Sequence, residues 1–337
     1  MTGRHRKLRM EQMEARQMMA GDIAAFVQDG NLFINENSAQ LGADNGVLVH
    51  QLENGKIRVE GNTTPTDKSV STINGKAFED FDVPGNLVVK LGGGSDRVVV
   101  GPSVFNQVSI DTGSTVLNRI ATSTVIQLVP DKDEITIDGL RTRGSMSVNT
   151  GIDHDVVYFG NSEIGDVGSG ASVKINTGAG PDSVVLASAS GVTVDGSVDI
   201  QTYSSLSEKD VDTVYAERLQ LFGDLHVRTG DGNDQITLKN MIAYRGVIDF
   251  DAGAGADSAT LDHVTAIDSL MAHMGDGDDT LYTNYLNVDK LTLDGGAGYD
   301  KFNQGLDQYI GSRVVTGFEL INGGRLSSDG LPTLSKL

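Results

Sequence analysis

The chain has 337 residues, with 42 glycines against six prolines, no cysteine, no tryptophan and a formal net charge of −20 at neutral pH. Without cysteine there is neither a disulfide framework nor a thiolate metal centre, and so acidic a body repels nucleic acid and anionic membrane while it attracts cations. No stretch approaches the apolar length of a transmembrane helix, and abundant glycine with little proline suits tight turns between strands better than a helical globule.

Residues 1–20 stand apart. They carry five Lys/Arg against two Glu, which leaves −23 on the remainder. Leu8, Met10, Met13 and Met18 interleave with charge as in a short amphipathic helix, but the apolar core of an ordinary secretory signal is missing. By residue chemistry this is a frayed basic tail.

Residues 21–85 read as a β-hairpin cap. "GVLVHQLENGKIRVEG" (46–61) is two alternating strands around Asn54-Gly55, a type I′ turn signal, and "FVQDGNLFI" (26–34) repeats the pattern around Asp29-Gly30. Such a cap protects the first coil of a stacked array.

From residue 86 to 326 one phrase returns: "TGDGNDQITL" at 229, "AGAGADSATL" at 252, "MGDGDDTLYT" at 274, "GGAGYDKFNQ" at 295. Its aspartates are Asp96, Asp133, Asp155, Asp182, Asp212, Asp234, Asp257, Asp279 and Asp300, and the last five are 21 to 23 residues apart. The 37-residue gap after Asp96 is expected to hide a degenerate coil near 108–116, and the 30-residue gap before Asp212 an insertion at 203–212. Glycines two and four residues before the aspartate permit positive φ and a sharp bend. Two residues after it every copy is apolar: Val98, Ile135, Val157, Val184, Val214, Ile236, Ala259, Leu281 and Phe302. That alternation marks a strand with one face buried. A second strand precedes each loop, as in "SVKINT" (172–177), and a short apolar pair separates the repeats.

A strand–bend–strand unit of this size cannot bury its apolar side alone. Stacking copies ~4.8 Å apart turns the apolar positions into ladders inside a continuous core. The expected fold is all-β, a right-handed parallel β-helix (β-solenoid) of about ten ~22-residue coils, closed by a strand pair within 313–326 and followed by a disordered tail at 327–337.

Stacking also brings the loop carboxylates within about 5 Å of one another, a repulsion of ~3 kcal/mol per pair at an effective dielectric of 20. Two devices relieve it: loop N–H groups that cap each carboxylate, or a hard cation with oxygen ligands. A turn whose aspartate bonds its own backbone is part of either answer. The extra acids Asp231, Asp276 and Asp278 favour a cation in the last coils.

Two phrases carry resemblances. "GGAGYDKFN" (295–303) matches the RTX, or hemolysin-type, nonapeptide G-G-x-G-x-D-x-U-x at every defined position, and "TGDGNDQIT" (229–237) misses only its first glycine. The resemblance implies extracellular Ca²⁺ between successive loops, with Asp96, Asp182, Asp234, Asp257, Asp279 and Asp300 as motif aspartates. "RKLRMEQMEARQMMA" (6–20) resembles the segment that opens many large exported repeat proteins of planctomycete-type bacteria, with Leu8, Glu11, Glu14, Arg16 and Ala20 in place. That resemblance implies export to the cell surface or beyond.

Other chemistry is sparse. Tyr158, Tyr215 and Tyr282 share one outward column, which reads as ladder packing ahead of a sugar-stacking surface. Lys90, Lys174 and Arg228 are outward cations that do not stack on neighbouring coils. No histidine pattern indicates a transition-metal site, and "LGGGSD" (91–96) lacks the lysine of a phosphate loop. The expected protein is an extracellular structural or adhesive solenoid. Its Ca²⁺ would be held among Asp231, Asp234, Asp257, Asp276, Asp278, Asp279 and Asp300, and a surface polysaccharide or another cell-surface protein would be its partner. The rivals are a metal-free spacer and a carbohydrate-active β-helix enzyme.

Overall fold

The computed structural model describes residues 21–37, 42–66, 68–83, 85–113, 132–203, 210–306 and 309–323. The basic segment at 1–20, the insertion at 204–209 and the tail at 327–337 lie outside the described residues.

Six strands form the cap: β1 (Asp22–Gln28), β2 (Asn31–Glu36), β3 (Gly46–Gln51), β4 (Ile57–Gly61), β5 (Thr72–Ile73) and β6 (Phe78–Phe81). β1–β2, β3–β4 and β4–β6 pair antiparallel. Asp29 and Gly30 both have positive φ, 51° and 76°, so the first hairpin closes with the type I′ turn its sequence signals. The second differs from expectation. Only Gly55 is left-handed there (φ 84°), and the Gly55 N–H bonds the Leu52 carbonyl while the Leu52 N–H bonds that of Lys56. Three extra residues between the paired ends let a wider loop replace the two-residue turn.

The body opens with β7 (Leu87–Lys90), β8 (Arg97–Val100) and β9 (Ser103–Phe105). Two more coils follow as β10 (Val108–Asp111), β11 (Glu134–Asp138), β12 (Leu140–Thr142), then β13 (Met146–Asn149), β14 (Val156–Gly160), β15 (Glu163–Ile164). Beyond them the second and third strands fuse: β16 (Val173–Asn176), β17 (Ser183–Val194), β18 (Val198–Gln201), β19 (Thr213–Leu221), β20 (Leu225–Arg228), β21 (Gln235–Ala243). The last are β22 (Val247–Asp251), β23 (Ser258–His273), β24 (Thr280–Asn284), β25 (Asn287–Asp294), β26 (Lys301–Gln304), β27 (Tyr309–Thr316) and β28 (Leu320–Gly323).

Every body strand pairs parallel with its counterpart one coil away, giving a parallel β-solenoid of about nine turns. Cap and body join through parallel pairs β2–β7 and β3–β8, so one strand of each hairpin is itself a rung while its partner covers the end. The coil expected near 108–116 does not exist as an extra turn. β8 pairs directly with β11, and β10 pairs with both β7 and β13, so the long gap spans a single coil; residues 114–131 within it lie outside the described residues. A loop can lengthen without disturbing the register of the strands on either side.

The inward columns are those the alternation marks. Val98, Ile135, Val157, Val184, Val214, Ile236, Ala259, Leu281 and Phe302 stack in register, each at most 1 % exposed. Branched aliphatic side chains in stacked pleats pack against the copies above and below, and full burial of each contributes roughly 1.5–3 kcal/mol.

Candidate functional site

Each glycine loop joins the strand before it to the strand after it, as β7 to β8 and β13 to β14, and its aspartate turns inward. All nine aspartates are buried, between 0 and 3 % exposed. A Gly-Asp turn is expected to bond the aspartate side chain to its own backbone. Each Oδ1 instead accepts the backbone N–H of the equivalent aspartate one coil nearer the N-terminus: Asp96 to Asp133 at 2.8 Å, Asp133 to Asp155 at 2.9 Å, Asp155 to Asp182, Asp182 to Asp212 and Asp212 to Asp234 at 2.8 Å. Asp234 to Asp257 and Asp257 to Asp279 follow at 2.7 Å, then Asp279 to Asp300 at 2.9 Å. The ladder starts where the Asn45 N–H meets Asp96 Oδ1, and it ends where Glu319 Oε2 receives the Asp300 N–H. Of the two relieving devices, N–H capping is thus present in every coil, with the donor supplied by the neighbouring coil.

Behind the ladder runs a second buried polar column. Thr112, Thr150, Thr177, Thr202 and Thr229 occupy the last inward position before the loop, each fully buried. The Thr202 hydroxyl donates to Asp212 Oδ2 at 2.6 Å. Further along Ala252, Met274 and Gly295 take this place, so Asp257, Asp279 and Asp300 face no hydroxyl from it. The Thr177 and Thr229 hydroxyls lie beside the Asp182 and Asp234 carboxyls and favour their charged forms, whereas the Oδ2 atoms of Asp257, Asp279 and Asp300 are buried with no hydrogen-bond partner among the described residues. Burial, with neighbouring carboxylates adding to it, pushes the Asp182 and Asp212 carboxyls up to about 8, Asp257 to about 7 and Asp279 to about 6. Burial raises Asp234 and Asp300 as well.

The glycines have a packing role. A Cβ on Gly255 would stand 1.3 Å from the Gly232 carbonyl oxygen, and one on Gly277 would stand 1.6 Å from that of Gly255. Gly253 and Gly275 meet the loop below in the same way, at 1.7 and 1.6 Å. Loops in such contact zip together, with Gly232 N–H to the Ala254 carbonyl at 2.7 Å and Ala254 N–H to that of Gly230 at 3.0 Å.

The seven residues expected to ligate a cation therefore divide. Asp234, Asp257, Asp279 and Asp300 belong to the internal ladder, while Asp231, Asp276 and Asp278 lie exposed on the outer rim. Asp278 Oδ1 caps the Tyr299 N–H at 2.9 Å. Asp231 and Asp276 both bridge to Ala254, one coil from each, and with Asp210 they line a shallow groove of about 370 Å³. Among the described residues no three acidic or histidine side chains converge closely enough to hold a metal ion between them.

Elsewhere the strands before the loops turn an ion-pair patch outward. Asp249 lies 3.4 Å from His226 and 3.7 Å from Arg228, and Arg228 also reaches Asp199 at 3.8 Å. Arg228 pairs in register with Gln201 and Asp251, not with another cation, and is flanked by acids of the coils on either side, because the sheet register sets Asp199, His226 and Asp249 in one column beside it. Tyr158 lies along its own strand over Gly160, and the Tyr215 hydroxyl donates to Glu217 of its own strand at 2.7 Å. Sequence reasoning missed Asn45, Glu319 and the threonine column. Their signal was present: Asn45 and Glu319 each precede an apolar residue by two, as every ladder aspartate does, and "NTG", "NTG" and "RTG" open three of the loops.

The Planctomycete extracellular family matches residues 4–23 of this chain. No curated protein and no solved structure matches it. The short match and the solenoid fold together support an exported, extracellular structural protein, and no helix among the described residues is long and apolar enough to cross a membrane.

Proposed function

We propose that the protein is an extracellular structural rod whose acidic loop rim takes up Ca²⁺ and whose outer surface adheres to polysaccharide or to another cell-surface protein. The observation that carries the cation reading is the groove in which Asp231 and Asp276 face each other across Ala254. A hard, oxygen-seeking cation there would neutralise two exposed carboxylates and tie together three coils. The net charge of −20 concentrates such cations near the rod.

The test is a thermal melt in calcium and then in chelator, at matched ionic strength. Ligand at a hundred times its Kd adds about 2.7 kcal/mol of stability, and the Asp231→Asn/Asp276→Asn double variant is expected to lose that gain. An unchanged melt in the wild type leaves the same rod as a metal-free spacer. A carbohydrate-active reading rests on the Asp199–Arg228–Asp249–His226 patch. Release of sugar fragments from a polysaccharide, abolished by Arg228→Ala, is the result that would favour it.

A further inference from the structure

The interior of the loop corner holds acids that the cation reading does not use. Asp182 is 2 % exposed, Asp212 0 % and Asp257 3 %. Each has one oxygen on a neighbouring N–H. Asp212 Oδ2 meets the Thr202 hydroxyl and the Thr177 hydroxyl lies beside the Asp182 carboxyl, whereas Asp257 Oδ2 finds no partner among the described residues. A buried carboxylate with an unpartnered oxygen loses its hydration without replacement, and the neutral acid avoids that cost.

Among the described residues the charged groups that face these three acids are themselves acids. Asp182 is faced by Asp155 and Asp210, with Thr177 at its side. Asp212 is faced by Asp182 and Asp234. Asp257 is faced by Asp234, Asp279 and Asp251, and Ala252 stands where other coils have threonine. Among the described residues no Lys, Arg or His makes an ion pair with Asp182, Asp212 or Asp257.

We propose that the ladder is a proton-loaded latch: Asp182, Asp212 and Asp257 are carried as neutral acids in the folded rod near neutral pH, and their ionisation in mild alkali loosens the coil stack at this corner. The N–H capping survives protonation, because Oδ1 remains an acceptor when Oδ2 carries the hydrogen. At Asp212 the Thr202 hydroxyl, which donates to Oδ2 at 2.6 Å, would turn its hydrogen toward the Thr229 carbonyl at 3.5 Å and accept the Oδ2 hydrogen instead. Ionisation would put like charges in successive coils, about 5 Å apart by the strand spacing.

The direction with pH follows from linkage. These carboxyls, at about 8, 8 and 7, lie above their ordinary value of 3.8, so the folded chain binds more protons than the unfolded one between those limits. Their contribution to stability is complete below about pH 4 and is lost as pH rises through 7 and 8. The experiment is a set of melts from pH 5 to pH 9 with chelator present throughout, so that failure of the calcium reading leaves this result untouched. The wild-type Tm is expected to fall by several degrees across that range. The Asp182→Asn/Asp212→Asn/Asp257→Asn variant, which keeps each Oδ1 acceptor and cannot ionise, is expected to show a flatter profile and to melt above the wild type at pH 9. A flat wild-type profile, or an equal slope in the variant, overturns the proposal. Should the variant fail to fold, a carbon-13 titration of the wild-type aspartate carboxyls decides: midpoints above pH 6 at these three positions sustain it, and midpoints below pH 5 end it.

Discussion

At Asp155 one side chain performs two tasks at once, since its Oδ1 holds the Asp133 N–H while its own N–H is held by Asp182. Asp155→Ala removes the acceptor and leaves a buried donor unpaired, which costs about 1–3 kcal/mol. Asp155→Asn keeps an acceptor in place, and a smaller loss is expected. Urea unfolding of the two variants separates them. A different residue-level strain sits at the next corner. Arg218, Asn240, His263 and Tyr285 stack there with φ between 49° and 57°. Asparagine tolerates the left-handed region, whereas arginine does so at a cost. The exposed Arg218 makes only long bonds to the Ser188 and Ala189 carbonyls, at 3.2 and 3.4 Å. Arg218→Gly is therefore expected to gain about 0.5–1 kcal/mol in the same assay.

The loop and its two flanking strands are the element that repeats, and glycine serves it differently at different places. Gly55 in the cap has φ 84° and open space around its Cβ position. Gly55→Ala meets only the backbone penalty, about 1 kcal/mol. Gly255 has φ 150° and a carbonyl oxygen 1.3 Å from the would-be Cβ. Gly255→Ala must push two coils apart, and a loss of about 3 kcal/mol or more is expected. Comparing the two alanine variants by thermal melt distinguishes a glycine kept for its torsion from one kept for close approach. The same packing explains why "GAGAD" and "GDGDD" loops coexist in one column: the glycines and the final aspartate make the inter-coil contacts, and the residues between them point outward.

Over the whole molecule, the rod has one protected end built from antiparallel strands and a body of parallel ones. A chain beginning at residue 85 would lack β2 and β3, and it would expose the edges of β7 and β8 with Leu87 and Val98 uncovered. Unpaired apolar edges recruit other strands, so size-exclusion chromatography should show this truncation self-associating where the full chain does not. The net charge of −20 acts at the same scale. Surface repulsion is screened beyond about 8 Å at physiological salt, so raising sodium chloride from low to physiological concentration should lift Tm in the wild type. That shift sets the background against which calcium is judged.

The period, the inward apolar columns, the two hairpins and the single edge shared by nine aspartates were all legible in the linear chain, because strand alternation and a fixed repeat length oblige equivalent residues to stack. The number of turns was not, since the 37 residues from Asp96 to Asp133 exceed one period, yet β8 and β11 are neighbouring rungs. Nor was the use of the carboxyls. A Gly-x-Asp loop reads identically whether its side chain bonds its own turn, reaches a cation outside, or caps an N–H in the next coil. The choice depends on which way the side chain turns and on donors 21 to 37 residues away. Stacking alone decided it, by burying Asp234, Asp257, Asp279 and Asp300 within reach of neighbouring N–H groups and leaving Asp231, Asp276 and Asp278 in water.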